Sequence, residues 1–238
     1  MKREIIITAD GSTTIHMPEW NEQYHSKHGA IQEAYHVFIK HGLHYACHPE
    51  LDSGSHQTCH SERSEESLEK LSILEIGFGT GLNALITLLE AETLQTRINY
   101  VGVEGYPVDL NEVKQLNYAS ALHCDRFLFD KLHNLPWEEE HQVTDYFSLT
   151  KQQKFFDEIQ EQDTFNLIYF DAFGARVQPE LWTETIFKKM YEALKIKGVL
   201  VTYSAKGSVR RAMQAVGFRV EKLPGPPGKR EMLRASKQ

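Results

Sequence analysis

Three glycines alternate along one short segment of this 238-residue chain. Residues 73–86 read I-L-E-I-G-F-G-T-G-L-N-A-L-I: an apolar run, a turn with Gly77, Gly79 and Gly81, and a second apolar run that predicts a helix. Glycine has no Cβ and readily takes positive φ angles, so a ligand can approach its main chain closely. A strand, a glycine turn and a helix in this order predict a loop that cradles a nucleoside cofactor.

The acidic residue Glu104 closes the next apolar run, N-Y-V-G-V-E, 23 positions after Gly81. Nucleotide-binding folds place a carboxylate for the ribose hydroxyls at an interval of about 20 residues. A dinucleotide fingerprint, G-x-G-x-x-G/A, also needs a small third residue, and this chain has Leu82 there. The spacing therefore predicts a ribose ligand at Glu104 and disfavours NAD.

The pattern E-x-G-x-G-x-G resembles motif I of the class I methyltransferases that depend on S-adenosyl-L-methionine (SAM). The resemblance implies that SAM is the cofactor and that Glu104 binds its ribose. The cofactor-binding residues that it implies are Glu75, Gly77, Phe78, Gly79, Gly81 and Glu104. An NAD site and a glycine turn without a ligand remain as alternatives.

The composition is ordinary for a globular protein, with 41% hydrophobic and 25% charged residues. No run of about 18 apolar residues predicts a membrane span, and the N-terminus lacks a secretory signal pattern. Three cysteines, Cys47, Cys59 and Cys124, do not make a disulfide framework. We therefore expect a cytoplasmic protein with free thiols.

The charge is unevenly distributed along the chain. Residues 195–238 contain eleven Lys/Arg and two Glu, a balance of +9, and because the whole chain carries −7, residues 1–194 carry −16. A basic segment of this kind favours a polyanionic partner, and a solvated basic surface is the alternative.

Apolar strand runs and helical stretches alternate to the end of the chain, which predicts one α/β domain. We expect a Rossmann-like, mostly parallel sheet of seven strands with an antiparallel final strand and helices on both faces. The runs typical of buried parallel strands are Ile73–Ile76, Tyr100–Val103, Leu167–Phe170 and Val199–Tyr203. Further elements expected are a helix over Val108–Tyr118, a strand over Tyr146–Lys151 and an antiparallel pair, Phe218–Leu223 with Glu231–Ala235.

Two segments precede this domain. Asp10-Gly11 between β-rich runs predicts a hairpin with a two-residue loop. Helical spacing of apolar residues over Gly29–Ile39 predicts an amphipathic helix that can cover the mouth of the cofactor site. Residues 48–70 are polar and Ser/Glu-rich, which predicts a flexible insertion. We thus expect an N-terminal hairpin and helix (1–45), an insertion (48–70) and a methyltransferase domain (71–238).

Histidines and cysteines crowd around the predicted insertion. Their spacing does not frame a zinc knuckle with paired ligands on both sides, so we expect no metal. The residues concerned are His44, Cys47, His48, His56, Cys59 and His60.

Asp171 follows the apolar strand run in F-N-L-I-Y-F-D-A-F-G-A-R-V-Q-P-E-L-W. In an open α/β sheet, ligands bind at the carboxyl ends of the strands, and the position resembles motif IV of class I methyltransferases, which in amine-modifying enzymes holds the nucleophilic nitrogen. A carboxylate there can orient an amine and favour loss of its proton. We assign Asp171 as the catalytic residue and as part of the cofactor site, and a structural Asp in a turn is the alternative. The residue that contacts the adenine is not assigned.

Four segments together resemble the methyltransferase domain of the tRNA 5-methylaminomethyl-2-thiouridine biosynthesis family, MnmC. They are Y-H-S-K-H-G-A-I-Q-E-A-Y-H-V-F-I, L-E-I-G-F-G-T-G-L-N, F-D-A-F-G-A-R-V-Q-P-E-L-W, and Y-S-A-K-G-S-V-R-R-A-M-Q-A-V-G-F with P-G-P-P-G-K-R-E-M. The resemblance covers nearly the whole chain apart from 48–70. It implies methyl transfer from SAM to the exocyclic amine of 5-aminomethyl-(2-thio)uridine at the tRNA wobble position.

The resemblance also implies a partner and substrate residues. Because the chain has no second glycine fingerprint, we expect a stand-alone methyltransferase, with separate enzymes providing the aminomethyl-uridine. The basic C-terminal residues would hold tRNA phosphates, and two aromatic residues would stack on the uracil. The substrate residues are Phe173, Trp182, Lys206, Arg210, Arg211, Lys229 and Arg230, with core packing as the alternative for Trp182.

Two other functions remain open from the sequence. The first is SAM-dependent transfer to a small-molecule amine, which the acidic region 1–194 would attract as a cation. The second is a non-catalytic SAM-binding module that interacts with tRNA.

Overall fold

The computed structural model describes residues 2–47 and 70–238, so residues 48–69 of the predicted insertion lie outside the described residues. The chain begins with a small antiparallel sheet of three strands: β1 (Glu4–Ile7), β2 (Thr13–Met17) and β3 (Glu22–Gln23). The predicted hairpin at Asp10-Gly11 is present as β1 and β2, but its loop spans residues 8–12 instead of two. The longer loop is stabilised locally, because the Asp10 carboxylate accepts hydrogen bonds from the hydroxyls of Thr8 and Ser12.

The predicted amphipathic helix is present but does not cover the mouth of the cofactor site. It comprises α1 (Ala30–Ala34), a π-helical stretch (Tyr35–Leu43) and α2 (His44–Cys47). Phe38 packs against Tyr169 of the main sheet with ring centroids 5.1 Å apart. Burial of its apolar stripe holds this helix against a face of the sheet, and the mouth is lined instead by residues of the segment 17–24.

The remaining described chain builds one large sheet and its helical layers. Its strands are β4 (Leu71–Ile76), β5 (Ile98–Val103), β6 (Glu140–Thr144), β7 (Phe147–Gln152), β8 (Phe165–Phe170), β9 (Leu194–Thr202), β10 (Arg219–Pro224) and β11 (Glu231–Ser236). Its α-helices are α3 (Leu82–Leu94), α4 (Leu110–Val113), α5 (Tyr118–Ala121), α6 (Arg126–Asn134), α7 (Glu184–Ala193) and α8 (Gly207–Ala215).

The strand order is β10-β11-β9-β8-β4-β5-β7-β6. The five strands from β9 to β7 are parallel, and β6, β10 and β11 are antiparallel to their neighbours. The α/β fold class and the antiparallel C-terminal pair are confirmed. The predicted count of seven strands was wrong, because β6 adds an eighth at the edge. Its sequence, E-H-Q-V-T, has one fully buried residue, so it carries no apolar run that would have marked it as a strand.

The predicted helix over Val108–Tyr118 was also wrong. The structure has two single-turn helices instead, α4 and α5, separated by residues 114–117. Asp109 caps α4 through a hydrogen bond from the backbone N–H of Asn111, and the Asn117 side chain leaves the helical pattern to accept a hydrogen bond from the Thr13 N–H. A contact that is distant in sequence therefore overrides the local helical preference.

Two apolar layers sandwich the main sheet. One contains α3, α6 and the π-helical stretch, and the other contains α7 and α8. Close packing of the first layer depends on Gly102 in β5, where a Cβ would lie 2.4 Å from Phe78 Cδ2. Gly102 thus provides the space that the Phe78 side chain occupies.

We predict that Gly102→Ala lowers the free energy of unfolding by about 1–3 kcal/mol, because the added methyl group forces Phe78 out of a well-packed core. Gly174→Ala is the matched control, since a Cβ there meets its nearest neighbour at an ordinary 3.6 Å. Urea unfolding of both variants measures the effect. Equal stability of Gly102→Ala and the wild type would contradict the prediction.

Candidate cofactor and substrate site

A cavity of about 710 Å³ opens at the carboxyl ends of β4, β5 and β8. This is the edge at which an open α/β sheet binds its ligands, and the volume suits a small molecule. Its walls combine loop glycines, four acidic residues and several aromatic side chains. The lining residues include Met17, Trp20, Tyr24, Gly77, Gly79, Glu104, Tyr106, Phe155, Asp157, Asp171 and Phe173.

The glycine loop connects β4 to α3 and forms one side of the cavity. Gly77, Gly79 and Gly81 all have positive φ angles, at 89°, 49° and 71°. A Cβ on Gly77 would lie 2.9 Å from the Asp171 carbonyl oxygen, and one on Gly81 would lie 2.8 Å from His133 Nε2. Glycine is therefore needed here both for the turn and for the close approach of neighbouring chain segments.

Glu104 lies beside this loop, as the sequence predicts. Its carboxylate oxygens accept hydrogen bonds from the backbone N–H groups of Gly79 and Tyr106, both at 2.9 Å. A carboxylate has about four acceptor positions, so two remain for other donors. The residue thus combines a fixed orientation with the capacity to accept from a pair of hydroxyls.

Two of the predicted cofactor residues turn away from the cavity. The Phe78 side chain is buried on the α6 side of the sheet, where its ring lies 5.8 Å from that of His133. Glu75 is also buried, and burial raises the pKa of its carboxyl well above the usual range. Neither side chain lines the cavity, so any contact of Glu75 with a cofactor runs through its hydrogen-bond partner, Asn83.

Asp171 directly follows β8 and lies at the base of the cavity. Its N–H donates to the carbonyl oxygen of Ile76 at 2.9 Å, which ties it to the start of the glycine loop. The Asn83 amide donates one N–H to Asp171 Oδ2 and another to Glu75 Oε1, each at 2.9 Å. Asn83, in the first turn of α3, thereby fixes the direction of the Asp171 carboxyl.

The pKa of Asp171 is raised to about 7, because the carboxyl is buried and because the Glu33 carboxylate adds negative charge nearby. His25 Nδ1 lies 3.9 Å from Asp171 Oδ2. Burial lowers the pKa of His25 to about 4, so this imidazole is neutral at pH 7 and does not counter the charge. Its Nε2 instead pairs with the Thr80 hydroxyl at 2.7 Å.

An aromatic wall lines the same cavity as Asp171. Phe173 makes edge contacts with Trp20 and Tyr24, at centroid distances of 5.8 Å and 4.9 Å. Trp182, the other predicted stacking residue, is buried among core rings and donates its indole N–H to the Phe173 carbonyl oxygen. The structure therefore brings Phe173 to the cavity and positions it through Trp182, which packs in the core.

A second aromatic pair lines the cavity beside the loop that follows Glu104. Tyr106 and Phe155 are 66% and 52% exposed, and their rings lie 5.7 Å apart. Asp157 lines the cavity next to them. The sequence did not identify this pair, because no local pattern separates an exposed loop aromatic from a core one. Their positions after Glu104 and after β7 are the sequence feature that could have identified them.

The predicted basic residues divide into two groups. Lys229 turns inward, where it forms an ion pair with the buried Glu33 and lies 3.9 Å above the Tyr203 ring. Lys206 and Arg211 are exposed at the start of α8, and Arg210 is half-buried there. Arg230 is exposed in the turn between β10 and β11.

The position of the α8 residues follows from the sheet. Because β8 and β9 are parallel, the chain after β9 emerges at the same edge as Asp171. Within residues 2–47 and 70–238, no ion pair engages Lys206, Arg210 or Arg211.

Metal sites and membrane-spanning helices are both absent from the described part of the chain. No group of three or more His, Cys, Asp or Glu there is arranged to hold a metal ion. No helix among those residues has both the length and the apolar character that crossing a membrane requires.

Comparison with known proteins agrees with this geometry. A sequence profile of the family described as S-adenosyl-L-methionine-dependent methyltransferase matches residues 130–238. The tRNA 5-methylaminomethyl-2-thiouridine biosynthesis bifunctional protein MnmC of Cupriavidus metallidurans is 30% identical over 96% of this chain and 33% of its own length. MnmC of Hydrogenovibrio crunogenus is 27% identical over 90% of this chain and 31% of its own length. The chain therefore spans about a third of these relatives.

Solved structures extend the comparison. The crystal structure of MNMC2 from Aquifex aeolicus superposes with a TM-score of 0.73 and 26% identity, covering 100% of this chain and 70% of that one. Spermidine synthase from Thermotoga maritima superposes with a TM-score of 0.50 and 15% identity, covering 100% of this chain and 72% of that one, which shows the shared fold.

In fold, in the arrangement of its site and in sequence, the chain is similar to the class I SAM-dependent methyltransferases, a class whose cofactor is S-adenosyl-L-methionine. Among these it is MnmC-like, because the similarity to MnmC proteins covers almost the whole chain.

The raised pKa of Asp171 has a consequence for stability. A folded-state pKa of about 7, against 3.8 for an ordinary Asp, means that stability is lost as the pH rises through this window. Asp171→Asn removes the buried charge, so we expect its free energy of unfolding to exceed that of the wild type by about 1–3 kcal/mol at pH 8. At pH 4.5 the difference should be small.

Urea unfolding at the two pH values measures this gain. Asp157→Asn is the matched control, because Asp157 lines the same cavity but is exposed. A gain for Asp171→Asn that is equal at both pH values would show that the carboxyl is not destabilised by its ionisation.

Proposed function

We propose that the chain methylates the exocyclic amine of 5-aminomethyl-(2-thio)uridine at the tRNA wobble position, giving 5-methylaminomethyl-(2-thio)uridine. The observation that carries the proposal is the placement of Asp171, a buried carboxyl directed by Asn83 into a cavity beside the glycine loop. The MnmC relatives support the choice of substrate. We also propose that the reaction takes place in the cytoplasm.

The residues of the cavity fit SAM. Glu104 has two free acceptor positions for the ribose hydroxyls, and Gly77 and Gly79 of the loop line the cavity with main chain. Tyr106 and Phe155 provide apolar faces for the adenine, with Asp157 as an acceptor for its amino group. When bound, SAM supplies an electrophilic methyl group on a sulfonium.

Asp171 acts on the substrate amine. An aminomethyl group is largely an ammonium ion at neutral pH, and it becomes a nucleophile only after it loses a proton. Asp171, with a pKa of about 7, can accept that proton when it is ionised and then hold the nitrogen in line for attack. Because Asn83 donates to one carboxyl oxygen, the other remains for the amine.

The aromatic wall provides a place for the uracil base. Phe173, Trp20 and Tyr24 form an aromatic surface in the cavity that Asp171 also lines. A base that is flipped out of a single-stranded loop is commonly stacked on rings of this kind. We therefore propose that Phe173 contacts the base, while Trp182 supports Phe173 from the core.

Methyl transfer tests the proposal directly. With SAM and tRNA from cells that lack this activity, we expect label in 5-methylaminomethyl-uridine after nucleoside analysis. Asp171→Asn should lower kcat by about 10²–10⁴-fold, the usual contribution of a general base, and should change the Kd for SAM less than tenfold. The wild-type rate should fall as the pH drops below about 7, because Asp171 then becomes protonated.

Asp157→Asn is the control for this experiment, and it should raise the KM for SAM without lowering the rate at saturating SAM. Binding of SAM without labelling of any tRNA base would refute the substrate. Methylation of a free small amine under the same conditions would point to the alternative reaction.

We further propose that Lys206, Arg210 and Arg211 contact tRNA phosphates at the edge of the cavity. Arg230 is a further candidate, whereas Lys229 acts through its ion pair with Glu33. The exposed position of the α8 residues beside the cavity edge supports this division.

Replacing Lys206, Arg210 and Arg211 together with Gln should raise the KM for tRNA and leave the Kd for SAM unchanged. Each lost phosphate contact should reduce the slope of log affinity against log salt by roughly 0.7–0.9. Lys197→Gln is the control, because Lys197 is exposed near the opposite end of β9. An unchanged salt slope in the triple variant would exclude these residues as phosphate contacts.

A further inference from the structure

A second cavity, of about 330 Å³, lies on the α6 side of the glycine loop and has no part in the proposed reaction. It is bounded by the loop after β5, the segment after α6 and the end of β7. Apolar side chains, among them Val108, Leu135, Pro136 and Trp137, share this wall about equally with polar atoms. One ammonium group borders it.

That ammonium group belongs to Lys151, which is only 1% exposed. Its Nζ donates to the His133 carbonyl oxygen at 2.7 Å and lies 4.9 Å from the Trp137 ring centroid and 6.0 Å from that of Phe78. Within residues 2–47 and 70–238, no carboxylate forms an ion pair with it. An ammonium has three donors, so two N–H groups have no protein acceptor there.

A buried cation with two unused donors is costly unless a partner accepts them. Aromatic faces stabilise a cation in part, but they do not replace an anion. The neighbouring ionisable side chain provides no charge, because burial lowers the pKa of His133 to about 4 and its Nε2 donates to the Thr80 carbonyl oxygen. Burial likewise lowers the pKa of Lys151 to about 8, which still leaves it mostly protonated at pH 7.

We propose that this second cavity binds a small organic monoanion with an apolar body, whose carboxylate pairs with Lys151. The apolar side chains of the wall would contact the body of the ligand, while the two free N–H groups would bind its oxygens. The volume corresponds to roughly ten waters at about 30 Å³ each, which limits the ligand to a short-chain or single-ring acid. The site is independent of the methyl-transfer reaction and would be present whether or not tRNA is the substrate.

The test uses isovalerate as the probe and isovaleramide as its uncharged counterpart. Trp137 is one of three tryptophans in the chain, so its indole N–H resonance is assigned by Trp137→Phe and then followed by NMR during titration. We expect saturable binding of isovalerate with a Kd on the order of 1 mM, since so small a ligand has few contacts, and no saturable shift with isovaleramide.

Lys151→Met keeps the length of the side chain and removes the charge, so it should weaken isovalerate binding at least tenfold. Lys188→Met is the matched control, because Lys188 is exposed on α7, and it should bind as the wild type does. Raising the pH from 7 to 9 should weaken binding to the wild type at least fivefold as Lys151 loses its proton. This measurement needs no variant, so it decides the matter even if Lys151→Met does not fold.

Three outcomes would overturn the proposal. The first is the absence of saturable binding by isovalerate, which would mean that water alone occupies the cavity. The second is equal affinity for isovalerate and isovaleramide. The third is tighter binding of inorganic phosphate than of isovalerate, which would assign the cavity to a different class of anion.

Discussion

The pairing of β4 with β8 is the interaction on which the site depends. These parallel strands run in register from Ile73 opposite Leu167 to Ile76 opposite Phe170. The register brings the last residue of one strand beside the first residue after the other, so the Asp171 N–H donates to the Ile76 carbonyl oxygen. Asp171 and the glycine loop therefore share one edge, although about ninety residues separate them in the chain. A shift of this register would separate the glycine loop from the Asp171 carboxyl.

The same pairing also determines the electrostatic environment of the Asp171 carboxyl. A carboxyl at the junction of two buried strands loses hydration, which raises its pKa to about 7, and Asn83 is the side chain that donates to it. Glu75 receives the second N–H of that amide, and burial raises the pKa of its carboxyl well above the usual range. Asp171 is therefore a poorly solvated acid that destabilises the fold when it is ionised, and in the proposed reaction it would act as a base near pH 7. Such an exchange of stability for reactivity is common at active sites.

Local patterns predicted the parts of this arrangement that are continuous in sequence. Apolar runs and glycine spacing report directly on strands and turns. They therefore predicted the positions of the glycine loop, Glu104, Asp171 and the C-terminal antiparallel pair. The parts that failed depend on distant contacts. The 108–118 segment breaks because Asn117 bonds to Thr13, and Phe78 turns inward because Gly102 leaves room for its ring. Neither partner can be identified from the local sequence.

The charge distribution also could not be interpreted fully from the sequence alone. The +9 balance of residues 195–238 suggested a basic surface, but the fold uses part of it internally: Lys229 pairs with Glu33, and Lys237 pairs with Asp163. These inward cations join the C-terminal hairpin to the acidic N-terminal part, so a fraction of the sequence asymmetry reflects folding. The cations that remain at the surface near the cavity, Lys206 and Arg211, lie at the edge that also carries Asp171. A small amine would gain nothing from positive charge at that edge, whereas a polyanion carrying an amine would be attracted to the rim and deliver its amine to the carboxyl.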